Sequence, residues 1–327
     1  MNQQVVMSGI RPTGNGTAHL GHWEGALKSW VKLQETGQCY YSIVDWHALT
    51  TEYQDVSNIK KNIRQVLLDL LAVGIDPEKS VVYLQSAVKE ISELFLLLGM
   101  MTPLGWLERV PTFKEQQAQL QDRDINTFGF LGYPLLMTVD IAIMKANTVP
   151  VGEDQVFHLE LAREIVRRFN GLYGDCFPEP LPFLTPIPKL PGVDGRKMSK
   201  SYGNAIYLGD SAAAVGEKIR PMVTDTRRKK RSDQGVPEDC PVFALHKAYS
   251  KGDEIAAVAE GCRTAGIGCL DCKKILIVNI NDFLEPFRQR RSKYENMSVS
   301  DILEPGNLRA TQRARQTVAQ VRDLMKI

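Results

Sequence analysis

Along the first part of the chain the hydrophobic positions switch between two periods. Val5-Val6-Met7-Ser8 is a short apolar run ending at Gly9, and a Gly/Pro-rich loop from Gly9 to Gly16 follows. From Gly21 to Leu33 the spacing is helical, with Trp23, Ala26, Leu27, Trp30 and Val31 on one face. Tyr40 to Val44 reads as a buried strand after a turn at Gly37. Ile59, Ile63, Val66, Leu67, Leu70 and Leu71 then mark an amphipathic helix that ends near Gly74, and Val81 to Leu84 is another short strand. Strands separated by helices of this length predict an α/β fold, a Rossmann-type parallel sheet with crossover helices.

Past residue 210 the texture changes. Strand-like runs vanish, helical periodicity dominates and charge density rises. Arg227-Arg228-Lys229-Lys230-Arg231 is a run of five bases, and Leu308 to Ile327 has the pattern of a basic amphipathic helix. A boundary is therefore expected between 208 and 220, dividing a catalytic domain (1–210) from a mainly helical one (211–327). No fixed period repeats along the chain, which argues against solenoids and propellers.

Composition narrows the class. With 43% apolar and 24% charged residues in 327, the chain is neither disordered nor collagen-like. The net charge of +2 is too small to make the whole surface attract polyanions, so any nucleic acid must meet a local patch. No apolar run approaches the roughly 20 residues of a membrane-spanning helix. Met1-Asn2-Gln3-Gln4 has no secretory pattern. A cytoplasmic location follows as the expectation, and the six cysteines are read as core thiols or metal ligands rather than disulfides.

Two segments carry candidate chemistry. Gly9-Ile10-Arg11-Pro12-Thr13-Gly14, followed by His19-Leu20-Gly21-His22, is a strand running through a Gly-rich turn into a helix start, the arrangement of an anion cradle. Gly21 permits close backbone approach of a nucleotide, and His19 and His22 offer donors to phosphate oxygens. The bland alternative is a tight turn with two surface histidines; a metal reading of the pair lacks a third ligand nearby. Far downstream, Gly195-Arg196-Lys197-Met198-Ser199-Lys200-Ser201 places two lysines among small hydroxyl residues, which suits a mobile loop closing on a charged group. Taken alone, such a basic loop is more often a solvated turn.

Together, His-Leu-Gly-His and Lys-Met-Ser-Lys-Ser flanking an α/β pattern resemble the class I aminoacyl-tRNA synthetases. Further elements narrow this: Asp45-Trp46-His47-Ala48, Gly74-Ile75-Asp76-Pro77, Leu107-Glu108-Arg109, Tyr133-Pro134 through Asp140, and Val149-Pro150-Val151-Gly152-Glu153-Asp154-Gln155. With Gly9–Gly14 they resemble the tryptophanyl-tRNA synthetases over nearly the whole chain, most densely from 7 to 204; several are shared with the tyrosyl enzymes.

The resemblance implies a site residue by residue. Arg11, Pro12, Thr13, Gly21 and His22 would line the ATP site, Gly152, Glu153 and Asp154 would contact ribose and nucleoside, and Ile187 would lie beside adenine. Lys197, Met198, Ser199, Lys200 and Ser201 would hold the pyrophosphate end with Mg²⁺. Asp140 would accept the indole N–H, with Met137, Tyr133 and His47 completing the amino-acid pocket. The residues themselves support part of this: a carboxylate at 140 amid apolar neighbours is costly unless partnered, and the indole N–H is donor only. Bland counterparts are an N-cap role for Asp154 and plain core packing for Tyr133 and Met137. A pocket built on such a bond rejects an analogue lacking the donor by about 10⁴ to 10⁵, so no editing domain is required. Many relatives carry Gln and Lys after Leu-Glu-Arg where this chain reads Val110-Pro111-Thr112-Phe113-Lys114-Glu115-Gln116, and no contact is assigned there.

Cys240, Cys262, Cys269 and Cys272 have the spacing C-x21-C-x6-C-x2-C, while Cys39 and Cys176 stand alone as expected core thiols. Four thiols in a reducing compartment suit zinc or an iron–sulfur cluster, and spacing alone favours zinc. A subgroup of the tryptophanyl-tRNA synthetases has a closely similar pattern, one residue longer in the first gap, with a 4Fe–4S cluster near the anticodon site; that resemblance implies a cluster here. Lys273 and Lys274 with Arg227 to Arg231 make 211–327 the expected tRNA face, unless the run is a solvated loop. The family implies tRNA(Trp), L-tryptophan and ATP as partners and a homodimer. Rival readings are a tyrosine-specific synthetase, a small-molecule adenylyltransferase, and a non-catalytic RNA-binding or redox-sensing protein on a synthetase scaffold.

Overall fold

A computed structural model describes residues 4–110, 126–152, 155–184 and 190–327, apart from the side chain of Ser201. β1 (Val5–Ile10) leads by a loop into a broken helical run of α1 (Leu20–His22), a π-helical turn (Trp23–Leu27) and α2 (Lys28–Leu33). Next come β2 (Gln38–Ile43), α3 (Asp45–Glu52), α4 (Ile59–Val73), β3 (Val81–Leu84), α5 (Glu90–Gly99), α6 (Leu104–Glu108) and α7 (Phe128–Ile143). β4 (Thr148–Val151), α8 (Val156–Tyr173) and β5 (Leu181–Leu184) complete the sheet. The chain continues as α9 (Ala212–Ile219), α10 (Pro241–Tyr249), α11 (Gly252–Arg263), α12 (Cys269–Tyr294) and α13 (Val299–Met325).

The fold is the α/β, Rossmann-type architecture that the alternation of periods predicts. Five parallel strands lie in the order β3-β2-β1-β4-β5. β1 pairs with β2 from Val5↔Gln38 to Ile10↔Ile43, and β2 with β3 from Tyr40↔Val81 to Ile43↔Leu84. The order reverses between β1 and β4, and at such a switch point the carboxyl ends of the strands open a crevice. Gly9 does not end β1, because Ser42 and Ile43 continue the ladder. Glycine is used there for closeness: a Cβ would lie 2.8 Å from a Val44 methyl.

Contacts divide the chain into two compact units. The first comprises Met1–Gly16, Ala26–Pro186 and Asn296–Ile327 and holds the entire sheet. α4 buries Ile63, Val66, Leu67, Leu70 and Leu71, leaves Ile59 half-buried, and stops at Gly74, whose φ of 103° closes the helix in the left-handed region. Tyr41 and Trp30 stack at 4.7 Å, and the tyrosine hydroxyl donates to the Trp30 carbonyl at 2.8 Å. α13 starts at Val299 rather than near Leu308; Glu304-Pro305-Gly306 reads as a break in sequence but is helical. The reason is packing. A Cβ at 306 would sit 1.8 Å from the Val82 carbonyl oxygen, so glycine alone lets this helix lie on β3. Asn307 Oδ1 accepts the Leu84 N–H at 2.9 Å, Arg309 donates to the Ser80 carbonyl at 3.0 Å, and Thr317 donates to the Ile143 carbonyl at 2.7 Å.

The second unit comprises Thr17–Gly25 and Ile187–Glu295. Its described residues past 210 contain no strand. Trp23 packs edge-on to Phe287 at 5.0 Å, and the buried Lys273 ammonium donates to the Arg220 and Met222 carbonyls at 2.7 and 2.6 Å. Cys39 and Cys176 are buried thiols of the first unit, in the core role expected of them. Among the described residues no helix is long and apolar enough to cross a membrane.

Candidate active site and cysteine cavity

In the first unit the candidate residues follow successive strands. Arg11, Pro12 and Thr13 come directly after β1, His47 after β2, and Gly152 after β4, at the carboxyl edge where the switch point opens. The loop after β1 is pinned from below: Gly16 has φ 73°, a Cβ there would lie 2.6 Å from Asn62 Cα, and the Asn62 amide donates to the Gly14 carbonyl at 3.0 Å. The Gly14 N–H donates to Glu52 Oε1 at 3.2 Å.

Tyr133, Met137 and Asp140 are spaced i, i+4, i+7 on α7 and so share one face of it. Asp140 is only 2% exposed, and its carboxylate is paired, as the cost of burying a bare charge requires. His47 Nε2 lies 2.9 Å from Oδ2, and Gln85 Nε2 donates at 2.9 Å to both Oδ1 and Oδ2. Tyr133 is half-buried, with its hydroxyl 2.8 Å from Nε2 of the buried His158. A carboxylate held in one orientation by two buried donors is suited to receive one further N–H.

The second unit unites the two motifs that lie far apart in sequence. The Leu20 N–H donates to the Ile206 carbonyl and the Leu208 N–H to the Ala18 carbonyl, so the histidine segment runs along the chain that follows Lys200. A Cβ on Gly21 would stand 3.8 Å from Met198 Cβ. The His22 N–H donates to His19 Nδ1 and the His19 N–H to His22 Nδ1, both at 3.2 Å, with the rings stacked at 3.7 Å. Because each Nδ1 accepts, each ring hydrogen sits on Nε2, giving two parallel donors. Burial, then the charges of Lys200 and Lys197, lower His19 to about 3, so it stays neutral.

The lysine loop is braced by a residue the sequence did not flag. Asn204 is buried; its Oδ1 accepts the Ser199 N–H at 2.8 Å, and its amide donates to Asp194 Oδ1 at 2.7 Å and the Lys197 carbonyl at 3.1 Å. Met198 is buried while Lys197 is exposed. The loop thus hangs on its methionine and presents its charge outward.

Cys240, Cys262, Cys269 and Cys272 line one mostly apolar cavity of the second unit with Arg228 and Ile267. An Arg228 N–H approaches Cys262 Sγ at 3.8 Å, and His246 Nε2 lies 3.4 Å from Cys272 Sγ. Burial first, then the neighbouring thiols, push Cys272 up to about 12, and burial raises Cys262. Among the described residues, however, no group of three or more His, Cys, Asp or Glu side chains is arranged to hold a metal ion.

The structure therefore brings together His47 and Asp140 in one unit, and Gly21, His22, Met198, Ser199 and Lys200 in the other. Glu153, Asp154, Ile187 and the segment 111–116 lie outside the described residues, as does the Ser201 side chain. Sequence reasoning missed Gln85, His158 and Asn204. The first two act through side-chain partners distant in sequence that no local pattern announces; Asn204 was within reach, being the one amide just after the lysine loop.

Comparison with known proteins gives the family. Residues 2–285 match the family described as tRNA synthetases class I (W and Y). The chain is 50% identical over 326 residues to the tryptophan–tRNA ligase of Thermotoga maritima, covering 98% of this chain and 99% of that one. It superposes on tryptophanyl-tRNA synthetase from Campylobacter jejuni complexed with ADP and tryptophan with a TM-score of 0.89 at 30% identity, covering 99% and 100% of the two chains. For the Mycoplasma pneumoniae tryptophanyl-tRNA synthetase the values are 0.79 and 28%, with 99% and 98% covered. With its switch-point sheet, paired histidine and lysine segments and buried carboxylate, the chain belongs to the class I tRNA synthetases of the tryptophan and tyrosine group.

Proposed function

We propose that this chain activates L-tryptophan with ATP and transfers it to the 3′-terminal ribose of tRNA(Trp). It is a tryptophan–tRNA ligase. The observation that carries the amino-acid choice is Asp140, a buried acceptor whose Oδ1 takes only the Gln85 amide among the described residues. Indole N–H is a donor without acceptor capacity, which matches that opening.

A tryptophan carboxylate oxygen attacks the α-phosphorus of ATP; the bond from that phosphorus to the bridging oxygen breaks, and pyrophosphate leaves with the electron pair. A terminal ribose hydroxyl of the tRNA then attacks the carbonyl carbon, its proton is lost, and AMP departs. Because the substrate supplies the nucleophile, the protein's task is positioning and charge stabilisation. Lys197 and Lys200 neutralise the pyrophosphate end, helped by Ser199, Ser201 and Mg²⁺. The Nε2–H groups of His19 and His22 donate to phosphate oxygens. Arg11, Pro12, Thr13 and Gly21 line the nucleotide; Gly152, Glu153 and Asp154 take the ribose and Ile187 the adenine. Tyr133, Met137 and His47 complete the tryptophan pocket.

The catalytic work falls to 1–210 and anticodon reading to 211–327, where the exposed Lys229, Lys230, Arg231 and Lys274 supply phosphate contacts; of the other expected bases, Arg227 is paired with Asp225 and Asp239, Arg228 is turned into the cysteine cavity and Lys273 is buried. The enzyme acts in the cytoplasm as a homodimer. ATP–pyrophosphate exchange with tryptophan and with tyrosine tests the reading. Exchange with tryptophan alone is expected. Exchange with tyrosine would reassign the pocket, and none with either would favour a non-catalytic RNA-binding role.

The four-cysteine cavity is read as a 4Fe–4S site. Its donor set is all thiol and its walls are mostly apolar. A single ion would need all four sulfurs at about 2.3 Å from one point, whereas a cluster spreads its ligands over four irons. Partly buried thiols whose pKa values are raised, as at Cys272 and Cys262, release their protons more readily to a metal than to water. Bound here, the cluster would tie the segments carrying Cys240, Cys262 and Cys269–Cys272 together. Anaerobic protein should contain iron and sulfide and absorb at about 400 nm; colourless protein containing zinc would replace the cluster with a single ion.

A further inference from the structure

We infer that Gln85 is a specificity-determining positioning residue, which holds Asp140 as the acceptor that selects a ring N–H. The inference rests on the reading of Asp140 given above and extends it to a residue outside the substrate contacts. Gln85 is fully buried, in the turn Gln85–Ala87 that follows β3. Its Oε1 accepts the backbone N–H of Trp46 at 3.1 Å. A backbone N–H only donates, so the amide cannot be turned round, and Nε2 must face Asp140. There it lies 2.9 Å from both carboxylate oxygens. The amide thus bridges the two oxygens and fixes the plane of the carboxyl group.

A second feature makes the arrangement rigid. The Ser86 N–H donates to Asp45 Oδ1 at 3.0 Å, so the segment after β2 and the segment after β3 hold each other reciprocally. These two segments carry the two donors to Asp140, His47 and Gln85. The carboxylate therefore meets a preassembled pair rather than two independent side chains. His47 binds Oδ2, Gln85 spans both oxygens, and Oδ1 keeps acceptor capacity for a ligand. Without Gln85, Asp140 could rotate about His47, and a ring lacking N–H would be excluded less strongly.

The test uses the full-length enzyme and tryptophan against its benzothiophene analogue, in which sulfur replaces the ring N–H. Gln85→Met keeps the volume and removes the donor; Gln85→Glu keeps the shape and the Trp46 contact but sets a carboxylate against Asp140. Exchange assays should show KM for tryptophan rising about 10- to 100-fold in Gln85→Met, with the tryptophan-to-analogue ratio falling by a similar factor and KM for ATP unchanged. Gln85→Glu should be worse than Gln85→Met, the reverse of the order that shape alone predicts. An unchanged ratio in Gln85→Met, a milder Gln85→Glu, or loss of ATP binding in both variants overturns the inference. A wild-type enzyme that fails to distinguish tryptophan from the analogue overturns the role of Asp140 itself.

Discussion

The proposed amino-acid pocket in the first unit and the proposed phosphate segments in the second are built by opposite means. Around Asp140 every described polar partner is buried, and the Gln85 amide is fixed against reversal by the Trp46 N–H. In the lysine loop Lys197 is exposed and Lys200 half-buried, while the anchors Met198 and Asn204 are buried. A pocket that must reject near-isosteres needs its hydrogen-bond geometry set before the ligand arrives, whereas a leaving group acquiring charge needs cations that can follow it.

The sharpest way to break this contrast is Asp140→Ala. It leaves His47 and Gln85 facing a void, and kcat/KM for tryptophan should fall by about 10³-fold or more while KM for ATP holds; an equal change in both would make the pocket merely structural. Next in size, Lys200→Ala should slow adenylate formation by about 10²- to 10³-fold with tryptophan affinity, read by fluorescence titration, little altered. Asn204→Ala should cost about tenfold in exchange rate, because it loosens the loop without removing a charge. Tryptophan binding should again be spared.

A separate effect, on stability and not on catalysis, concerns acid. His19 titrates near its ordinary value when unfolded but only at about 3 when folded. Between those values the unfolded chain binds a proton that the folded one refuses, so stability falls as pH drops, by up to about 1.4 kcal/mol per pH unit. Above the ordinary value the two states are alike. Urea midpoints measured from pH 7 downward should decline less steeply in His19→Asn, which retains a capping side chain.

Much of the scaffold was legible because period and chemistry agreed: α4 ends at the glycine that the pattern marks, and β1, β2 and β3 fall where apolar runs stand. The histidine and lysine segments were readable as a pair, since their residue types already imply an anion. What escaped depended on distance. Gln85 is a neutral amide in an unremarkable turn, and its importance arises only when the sheet carries it to a helix 55 positions further on. The extent of α13 escaped for another reason: Pro305-Gly306 reads as a stop locally, and only close packing against a strand converts it into a continuous helix. The π-helical turn within the first helical run left no signature in the hydrophobic spacing.

That last helix has a consequence for how the chain is completed. β3 is an outermost strand, and its outward Leu84 amide is taken by Asn307 while Gly306 lets the helix rest directly on Val82. On the ribosome β3 emerges well before residues 299–325, so until that helix is made the sheet has one bare border open to pairing with other chains. A polypeptide halted shortly before Val299 would keep both recognition segments yet remain prone to sticking to its neighbours, which makes the closing helix as much a guard against aggregation as a part of the enzyme.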